Sequence, residues 1–248
     1  GVKKEKAADS ELPEIIIGMD YFEPYSYQAS DGKYKGIDVE LAKEAFQRLG
    51  YQPKFENIVW EDKDELLADG TVDCLWSSYS MNGREDKYQW AGPYLYSRQM
   101  VVVKNESEIQ TLSDLKGKRI AVQATTKAED LFLHNIKSDL PQMQQVNCFS
   151  TTNEIYAALR KNYVDAIAGH EAMLGSLVKE GKDVYRMLDE SIYKSELGVA
   201  FKKGTHEEVA ADLTETLKKL QREGITEKIV TKYGLDADEI LLEGEQNE

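Results

Sequence analysis

The sequence predicts an α/β protein in which mostly parallel sheets are flanked by helices. Short apolar segments alternate along the chain with segments whose apolar residues recur every three or four positions. This alternation runs through two successive cycles of about 90 residues each, followed by one more strand and trailing helices. We therefore expect two lobes, with a small-molecule site in the cleft between them.

The first cycle opens with an apolar strand at residues 14–19. An amphipathic helix is expected at residues 36–49, because apolar residues recur at every fourth position and Gly50 follows. Further strands are expected at residues 53–58, 72–76 and 94–104, with a helix at 61–68.

The second cycle has the same alternation of strands and helices, formed by different residues. Its expected strands are at residues 119–123, 144–149, 164–168 and 184–188, and its helices at 127–135, 152–162 and 171–179. A strand at 196–201 and helices at 207–222 and 225–233 complete the chain.

The composition excludes several classes of protein. The net charge is −14, and phosphate-backbone binding needs clustered Lys and Arg, so we expect no nucleic-acid partner. The chain contains no run of 18 apolar residues, so we expect no membrane-spanning helix. Cys74 and Cys148 each lie in an apolar stretch and are predicted to be buried, reduced thiols. With three histidines and no Cys-x-x-Cys motif, neither a metal site nor a cofactor is predicted.

Residues 1–10 are small and charged, with no core-forming pattern. We expect them to form a flexible tether of the kind that remains after an export signal has been removed. The flexible start of a cytoplasmic protein would have the same composition.

Several short patterns occur in a characteristic order. Residues 31–42 read DGKYKGIDVELA and residues 90–94 read WAGPY. Together with the others, this series resembles the polar amino-acid class of bacterial extracellular solute-binding proteins, the receptors of ATP-driven (ABC) importers. The resemblance covers residues 14 to about 235, and its remaining patterns are at residues 18–27, 70–74, 83–85, 112–118, 164–166 and 197–204.

The resemblance implies a type II periplasmic-binding-protein-like fold with two lobes that close on the ligand by hinge motion. The implied lobe 1 is residues 11–94 plus 199–244, and the implied lobe 2 is residues 99–193. Two hinge strands, at residues 95–98 and 194–198, would join the lobes.

The resemblance also implies ligand-binding residues on lobe 1. Arg84 matches an arginine that clamps the ligand carboxylate, for which a planar guanidinium is well suited. The loop from Ser80 to Arg84 is one residue shorter than is usual in the family. Ser78 and Ser80 match positions that hold the ligand carboxylate and ammonium, although they would also suit a strand-end turn.

Aromatic residues are expected to form the wall against the ligand side chain. Phe22 matches the stacking aromatic residue of the family, with Tyr21 as the alternative in register. Trp60 is a second candidate, although aromatic residues at strand ends also serve as core. Asp20 matches an acid that lines the site.

On lobe 2, the turn after residues 119–123 is expected to direct backbone N–H groups at the ligand carboxylate. Gln123, Thr126 and Lys127 are the candidate contacts, and Thr126 would equally suit a plain helix N-cap. The family usually has glycine where this chain has Thr125.

The largest departure from the family is His170, where an aspartate normally pairs with the ligand ammonium. An ordinary imidazole titrates near pH ~6.5, so we expect ligand binding to change between about pH 7.5 and 5.5. Either Glu171 or Asp20 then pairs with the ammonium, or the ligand lacks an ordinary one. The alternative is that His170 only caps a helix.

The resemblance implies a binding protein, not an enzyme. It would be a monomer that delivers a small polar amino acid or related carboxylate to the membrane permease of an ABC importer. We expect it at the extracellular face of the membrane, lipid-anchored through a removed N-terminal segment, or alternatively in the periplasm.

Two other classes stay open. A dehydratase-like or peptidoglycan-cleaving enzyme of the same fold would use cleft carboxylates as acid and base, with His170 and Glu171 as a candidate pair. The sensor domain of a membrane receptor would continue after Tyr233 into a membrane helix, whereas acidic and polar residues follow here.

Overall fold

The protein is described from a computed structural model, which covers residues 11–137 and 139–243. The strands are β1 (Glu14–Met19), β2 (Tyr27–Gln28), β3 (Tyr34–Lys35), β4 (Gln52–Asn57), β5 (Cys74–Ser80), β6 (Tyr88–Lys104), β7 (Arg119–Gln123), β8 (Gln145–Phe149), β9 (Ala166–His170), β10 (Tyr185–Met187) and β11 (Tyr193–Lys202). The helices are α1 (Ile37–Arg48), α2 (Lys63–Ala68), α3 (Lys127–Phe132), α4 (Thr152–Arg160), α5 (Glu171–Glu180), α6 (Glu207–Arg222), α7 (Ile225–Lys232) and α8 (Ala237–Ile240). Short 3₁₀ helices cover Trp60–Asp62 and Leu112–Leu115. The predicted α/β class is confirmed.

The sheet consists of two parallel sets joined by an antiparallel pair. Strand β1 pairs in parallel with β4 and β5, and β7 pairs in parallel with β8 and β9. Between these sets, β11 pairs with β5 and β6, and β6 pairs with β9, all antiparallel. The long strands β6 and β11 therefore connect the two α/β units.

The predicted hinge segments are neighbours within this antiparallel pair. Leu95 lies opposite Leu197, and Arg98 lies opposite Lys194. The ladder is irregular between Leu197 and Val199. The proposed lobe and hinge boundaries stay predictions, and we use the names lobe 1 and lobe 2 for the ranges given above. The predicted tether at residues 1–10, like residue 244, lies outside the described residues.

The central strands of the sheet are buried on both faces. Along β6, Val101 and Val103 pack into one apolar cluster, whereas Met100 and Val102 pack into another on the opposite side. This follows from the two-residue period of a strand. A third cluster fills lobe 1, where α1 packs on β4 and β5, α6 packs on β6, and α7 packs on α1 and α6.

The two cysteines differ in environment. Cys74 is fully buried in β5, as predicted, and burial raises the pKa of its thiol. Cys148 is exposed, so the prediction of a buried thiol at this position was wrong. The reason is that β8 lies at the end of the strand order, where one edge and part of each face are uncovered.

Some elements differ in length from the prediction. Strand β5 continues to Ser80, four residues beyond its predicted end, and β6 begins at Tyr88. The short strands β2 and β3 and the helix α8 were not predicted. No helix in the described part of the chain is long and apolar enough to cross a bilayer.

The lobe 2 core offers a direct test of this packing. Replacing Ile120, which is fully buried in β7, by alanine should lower the free energy of unfolding by about 2–5 kcal/mol, through lost burial and the cavity left behind. The matched control is Ile136→Ala, because Ile136 is 53% exposed. Urea denaturation should show a change within about 0.5 kcal/mol for this control. Equal losses in both variants would contradict the assigned core.

Candidate ligand-binding site

Predicted site residues from both lobes meet at the carboxyl ends of parallel strands, where α/β proteins place their sites. Asp20 follows β1, and Ser78 lies near the end of β5. Gln123 and His170 are the last residues of β7 and β9. Between them is a small cavity of about 20 Å³, lined by Phe22, Trp60, Ser77, Ser78, Tyr79, Gln99, Gln123, Thr126, Lys127, Ile155, Ala168, Gly169, His170 and Met173.

The cavity therefore brings together many of the predicted contacts. Those in its lining are Phe22, Trp60, Ser78, Gln123, Thr126, Lys127 and His170. Asp20, Ser80 and Arg84 lie at its margin, through contacts described below. Sequence reasoning missed Ser77, Tyr79, Gln99 and Met173. The run of polar residues from 77 to 80 was a signal for the first two, whereas nothing local marked the others.

On lobe 1, a buried carboxylate fixes the shape of the strand end. Asp38, only 1% exposed, accepts a 2.7 Å hydrogen bond from the Ser78 N–H and another of 2.7 Å from the Tyr94 hydroxyl. Burial raises the pKa of Asp38 to about 7, against the opposing effect of these hydrogen bonds. Ser78 has φ = 46°, a left-handed conformation that is unfavourable for a residue with a side chain. Asp38 thus stabilises the turn that presents Ser78 to the cavity.

Several hydroxyl groups near the cavity have no partner. Within residues 11–137 and 139–243, the hydroxyl oxygens of Ser78, Ser80 and Thr125 are buried and make no hydrogen bond. Buried polar groups are nearly always paired, so orphaned ones need an explanation. A polar ligand placed between the lobes would supply partners to Ser78 and Ser80.

Arg84 makes a contact across the cleft. Its side chain is 9% exposed; Nη1 donates to the Ser80 carbonyl at 3.0 Å, and Nη2 donates to Oδ2 of Asp130 at 2.8 Å. Nζ of Lys127 lies 3.5 Å from the same Asp130 oxygen, and its ammonium also donates to the Asn82 carbonyl. Asp130 of α3 therefore holds the guanidinium that the sequence assigned to a ligand carboxylate.

A second contact between the lobes involves Asp20. Its Oδ2 accepts a 3.1 Å hydrogen bond from Nε2 of Gln123, and its Oδ1 accepts one of 2.7 Å from the Tyr21 N–H. Burial raises the pKa of Asp20 to about 6. Gln123 in turn donates to the Ser150 carbonyl and accepts from the Thr152 hydroxyl. Asp20 is therefore a poorly solvated acid facing lobe 2.

The aromatic wall is formed by Phe22 and Trp60, which are 3% and 2% exposed. Their rings meet edge to face at 5.8 Å between centroids, and Trp60 meets Tyr79 in the same way at 5.0 Å. Tyr21, the alternative in register, is 40% exposed. Of these two residues, Phe22 lines the cavity.

The turn on lobe 2 explains a departure from the family pattern. Thr125 has φ = 59°, in the left-handed region that favours glycine, the residue usual here in the family. Its N–H donates to Oε2 of Glu129 at 3.0 Å. Thr126 stands at the N-cap position of α3 but makes no side-chain cap, because its hydroxyl donates to the Gln123 carbonyl.

His170 is buried and neutral. Its Nδ1 lies 2.7 Å from Oγ of Ser97 and 3.1 Å from Nε2 of Gln99, which is an amide donor. Burial, followed by the positive charge of Arg84, lowers the pKa of His170 to about 4. The expected pH dependence of binding assumed a solvated imidazole, and the burial of His170 argues against that assumption. His170 occupies the N-cap position of α5 without a side-chain cap.

Glu171 points away from the cavity. Its two carboxylate oxygens accept hydrogen bonds of 2.7 and 2.5 Å from Nε and Nη2 of Arg98. Nη2 of Arg98 also lies 3.2 Å from Glu239 of α8. These residues line a separate cavity behind the hinge segments. The geometry speaks against Glu171 as a ligand contact and against an acid–base pair with His170.

One group of side chains in the described ranges has metal-ligand spacing. The ligand atoms of Glu129, Asp130 and His134 lie within 4.8 Å of one another. However, Asp130 pairs with Arg84 and Lys127, and Glu129 accepts from Thr125. These contacts account for the cluster without an ion.

A two-unit α/β fold with a polar, cation-bearing cavity between the units is the architecture of solute-binding proteins. The sequence profile of the bacterial extracellular solute-binding proteins, family 3, matches residues 15–236. The chain belongs to this family, as the sequence resemblance predicted.

Individual relatives agree with this assignment. The chain is 27% identical over 223 residues to the L-cystine-binding protein TcyJ of Escherichia coli (strain K12), covering 88% of this chain and 82% of the relative. It is 24% identical over 249 residues to the glutamate-binding protein GluB of Corynebacterium efficiens, covering 93% and 82%.

Solved structures show the same fold. An ABC uptake transporter substrate-binding protein from Streptococcus pneumoniae with bound histidine superposes with a TM-score of 0.82 and 25% identity, covering 90% of this chain and 93% of that one. The ancestral amino-acid-binding protein AncCDT-1, a precursor of cyclohexadienyl dehydratase, has a TM-score of 0.78 and 25% identity, covering 89% and 95%. The fold is therefore shared with binding proteins and with the precursor of an enzyme.

The depressed pKa of His170 can be checked directly. Proton NMR of the imidazole Cε1–H should show no titration of His170 between pH 5.5 and 7.5, because burial disfavours the cation. His170→Asn identifies the signal among the three histidines of the chain. A midpoint between pH 6 and 7 would show that the imidazole is solvated.

Proposed function

We propose that this protein binds a small polar amino acid or a related carboxylate outside the cytoplasm and delivers it to the permease of an ABC importer. The observation that carries the proposal is the site of Arg84. Its buried guanidinium lies at the margin of a cavity with unpartnered serine hydroxyls. The names of the relatives, which bind cystine, glutamate and histidine, support a ligand of this class.

Each group of a free amino acid has a proposed partner. The ligand carboxylate replaces or joins Asp130 on the guanidinium of Arg84, with the hydroxyls of Ser78 and Ser80 and the nearby Lys127 completing its contacts. The ligand side chain lies against the wall of Phe22 and Trp60, which offers a flat apolar surface.

Asp20 is the proposed partner for the ligand ammonium. Its carboxylate is largely buried and has a raised pKa, so a nearby ammonium would favour its ionised form. His170 is neutral, so it does not repel that ammonium, but its Nδ1 faces Ser97 and Gln99. Gln123 and Thr126 complete the lining from lobe 2.

The alternative of an enzyme receives one supporting observation, the likeness to the dehydratase precursor. The candidate acid–base pair of His170 and Glu171 does not share one cavity, because Glu171 is bound to Arg98 outside the cavity that His170 lines. We therefore favour a binding protein that releases its ligand unchanged. A lipid anchor through a removed N-terminal segment stays a prediction.

Ligand binding should be measured first with a thermal-shift screen of the twenty amino acids and small carboxylates, because a ligand that binds the native state raises the melting temperature by mass action. Arg84→Ala should then weaken the best ligand by about 2–5 kcal/mol, roughly 30- to 4,000-fold, because a desolvated carboxylate loses its charged partner.

The matched control is Arg222→Ala, because Arg222 is exposed at the end of α6. It should bind within twofold of the parent protein. No response to any compound would overturn the proposed function. An Arg84→Ala variant that binds normally would remove Arg84 from the site.

Closure of the lobes should be visible in solution. The hinge segments at residues 95–98 and 194–198 are the proposed pivot, so ligand should shift the population from an open to a closed form. Small-angle scattering should show a smaller radius of gyration at saturating ligand. A radius that does not change would contradict closure by hinge motion.

A further inference from the structure

Lys63 is an unusual cation at the edge of the cavity. It is the first residue of α2 and only 4% exposed. Its Nζ lies 5.3 Å from the ring centroid of Trp60 and 5.8 Å from that of Tyr79. No carboxylate among the described residues comes within 4.0 Å of this Nζ, in contrast to Arg84 and Lys127, which share Asp130.

The location of Lys63 points to the cleft. The rings of Trp60 and Tyr79 that it contacts both line the cavity. The guanidinium of Arg84 lies 5.1 Å from the centroid of the same Tyr79 ring. The charge of Glu129, on α3 of lobe 2, also acts on Lys63. Lys63 and Arg84 therefore both lie near the Tyr79 ring, within reach of a charge on lobe 2.

An ammonium in this environment is poorly compensated. Burial lowers the pKa of Lys63, and the charges of Arg84 and Lys87 act in the same direction. Asp64 and Glu129 oppose this effect only in part. Aromatic faces stabilise a cation less than a paired carboxylate does. A long apolar side chain would fill the same space without this penalty.

We propose that Lys63 binds a second anionic group of the ligand, so that the ligand is a dicarboxylate such as an acidic amino acid. This inference rests on the proposed function. Three cations, Lys63, Arg84 and Lys127, meet near the cleft, and Asp130 serves two of them. One ligand carboxylate binds Arg84, and a second placed along the Tyr79 ring pairs with Lys63.

The competing explanation is that Lys63 only attracts Glu129 across the cleft and favours closure with any ligand. In that case its removal would weaken charged and neutral ligands equally. A Glu129→Gln variant would then have the same effect as a Lys63 variant. The two explanations differ in ligand selectivity, not in affinity alone.

The test is titration calorimetry with three dicarboxylates (L-glutamate, L-aspartate and L-cystine) and three monocarboxylates (L-glutamine, L-asparagine and L-methionine). The parent protein should bind one of the dicarboxylates most tightly. Lys63→Met keeps the length of the side chain and removes its charge. This variant should weaken that ligand at least tenfold and change the monocarboxylates by less than twofold, because only the dicarboxylate has a group opposite Lys63.

Lys87→Met is the matched control, because Lys87 is exposed and close enough for its charge to act on Lys63, and it should bind as the parent does. Lys63→Arg should retain the preference for the dicarboxylate. A monocarboxylate as the tightest ligand, or equal losses for both classes in Lys63→Met, would overturn the inference and leave the proposed function intact. Absence of binding by the parent to every amino acid and small carboxylate of the screen would overturn the proposed function itself.

Discussion

The two hydrogen bonds accepted by Asp38 hold together the part of lobe 1 on which the site depends. Its carboxylate joins α1 to the end of β5 through the Ser78 N–H, and to β6 through the Tyr94 hydroxyl. Ser78 is held in a left-handed conformation that it would otherwise avoid. The course of the chain beyond this turn places Ser80 and Arg84 at the cleft, so a buried acid without any proposed contact to ligand determines the geometry of the residues proposed to bind it.

The contacts between the lobes are mainly polar and exchangeable. Arg84 pairs with Asp130, Gln123 donates to Asp20, and Ser150 donates to Glu61. A ligand carboxylate on Arg84 competes with Asp130 for the same guanidinium. In the proposed complex, binding would therefore largely replace one anion on Arg84 by another. A ligand shifts the lobes toward the closed form only to the extent that it interacts better than the groups it displaces.

The order of strands and helices was predictable because each type of element has its own spacing of apolar residues along the sequence. Strands buried on both faces give short apolar runs, as along β7, and amphipathic helices give a spacing of three or four, as in α1. The end of β5 was missed because its last residues include serines, which the fold buries although their own hydropathy is low. Local pattern therefore predicted architecture better than it predicted strand ends.

The site was partly predictable for a different reason. Phe22 and Arg84 were predicted from short sequence patterns shared with a family. Such patterns can be read directly from the order of residues in the chain. The roles of Lys63 and Asp130 depend on which charges the folded chain brings together across the cleft, and no spacing in the sequence reports this. The neutral state of His170 likewise follows from burial, which one sequence does not reveal at a single imidazole.

The three cleft cations, Lys63, Arg84 and Lys127, belong to a protein of net charge −14, and this contrast has a kinetic consequence for anionic solutes. Long-range repulsion slows their approach, whereas attraction by the cleft cations acts after entry and is little affected by ions in solution. Screening at physiological ionic strength limits the repulsion to about 8 Å. Added salt should therefore speed the arrival of an anionic solute more than it speeds its departure, the reverse of the behaviour expected when a charged surface steers its ligand toward the site.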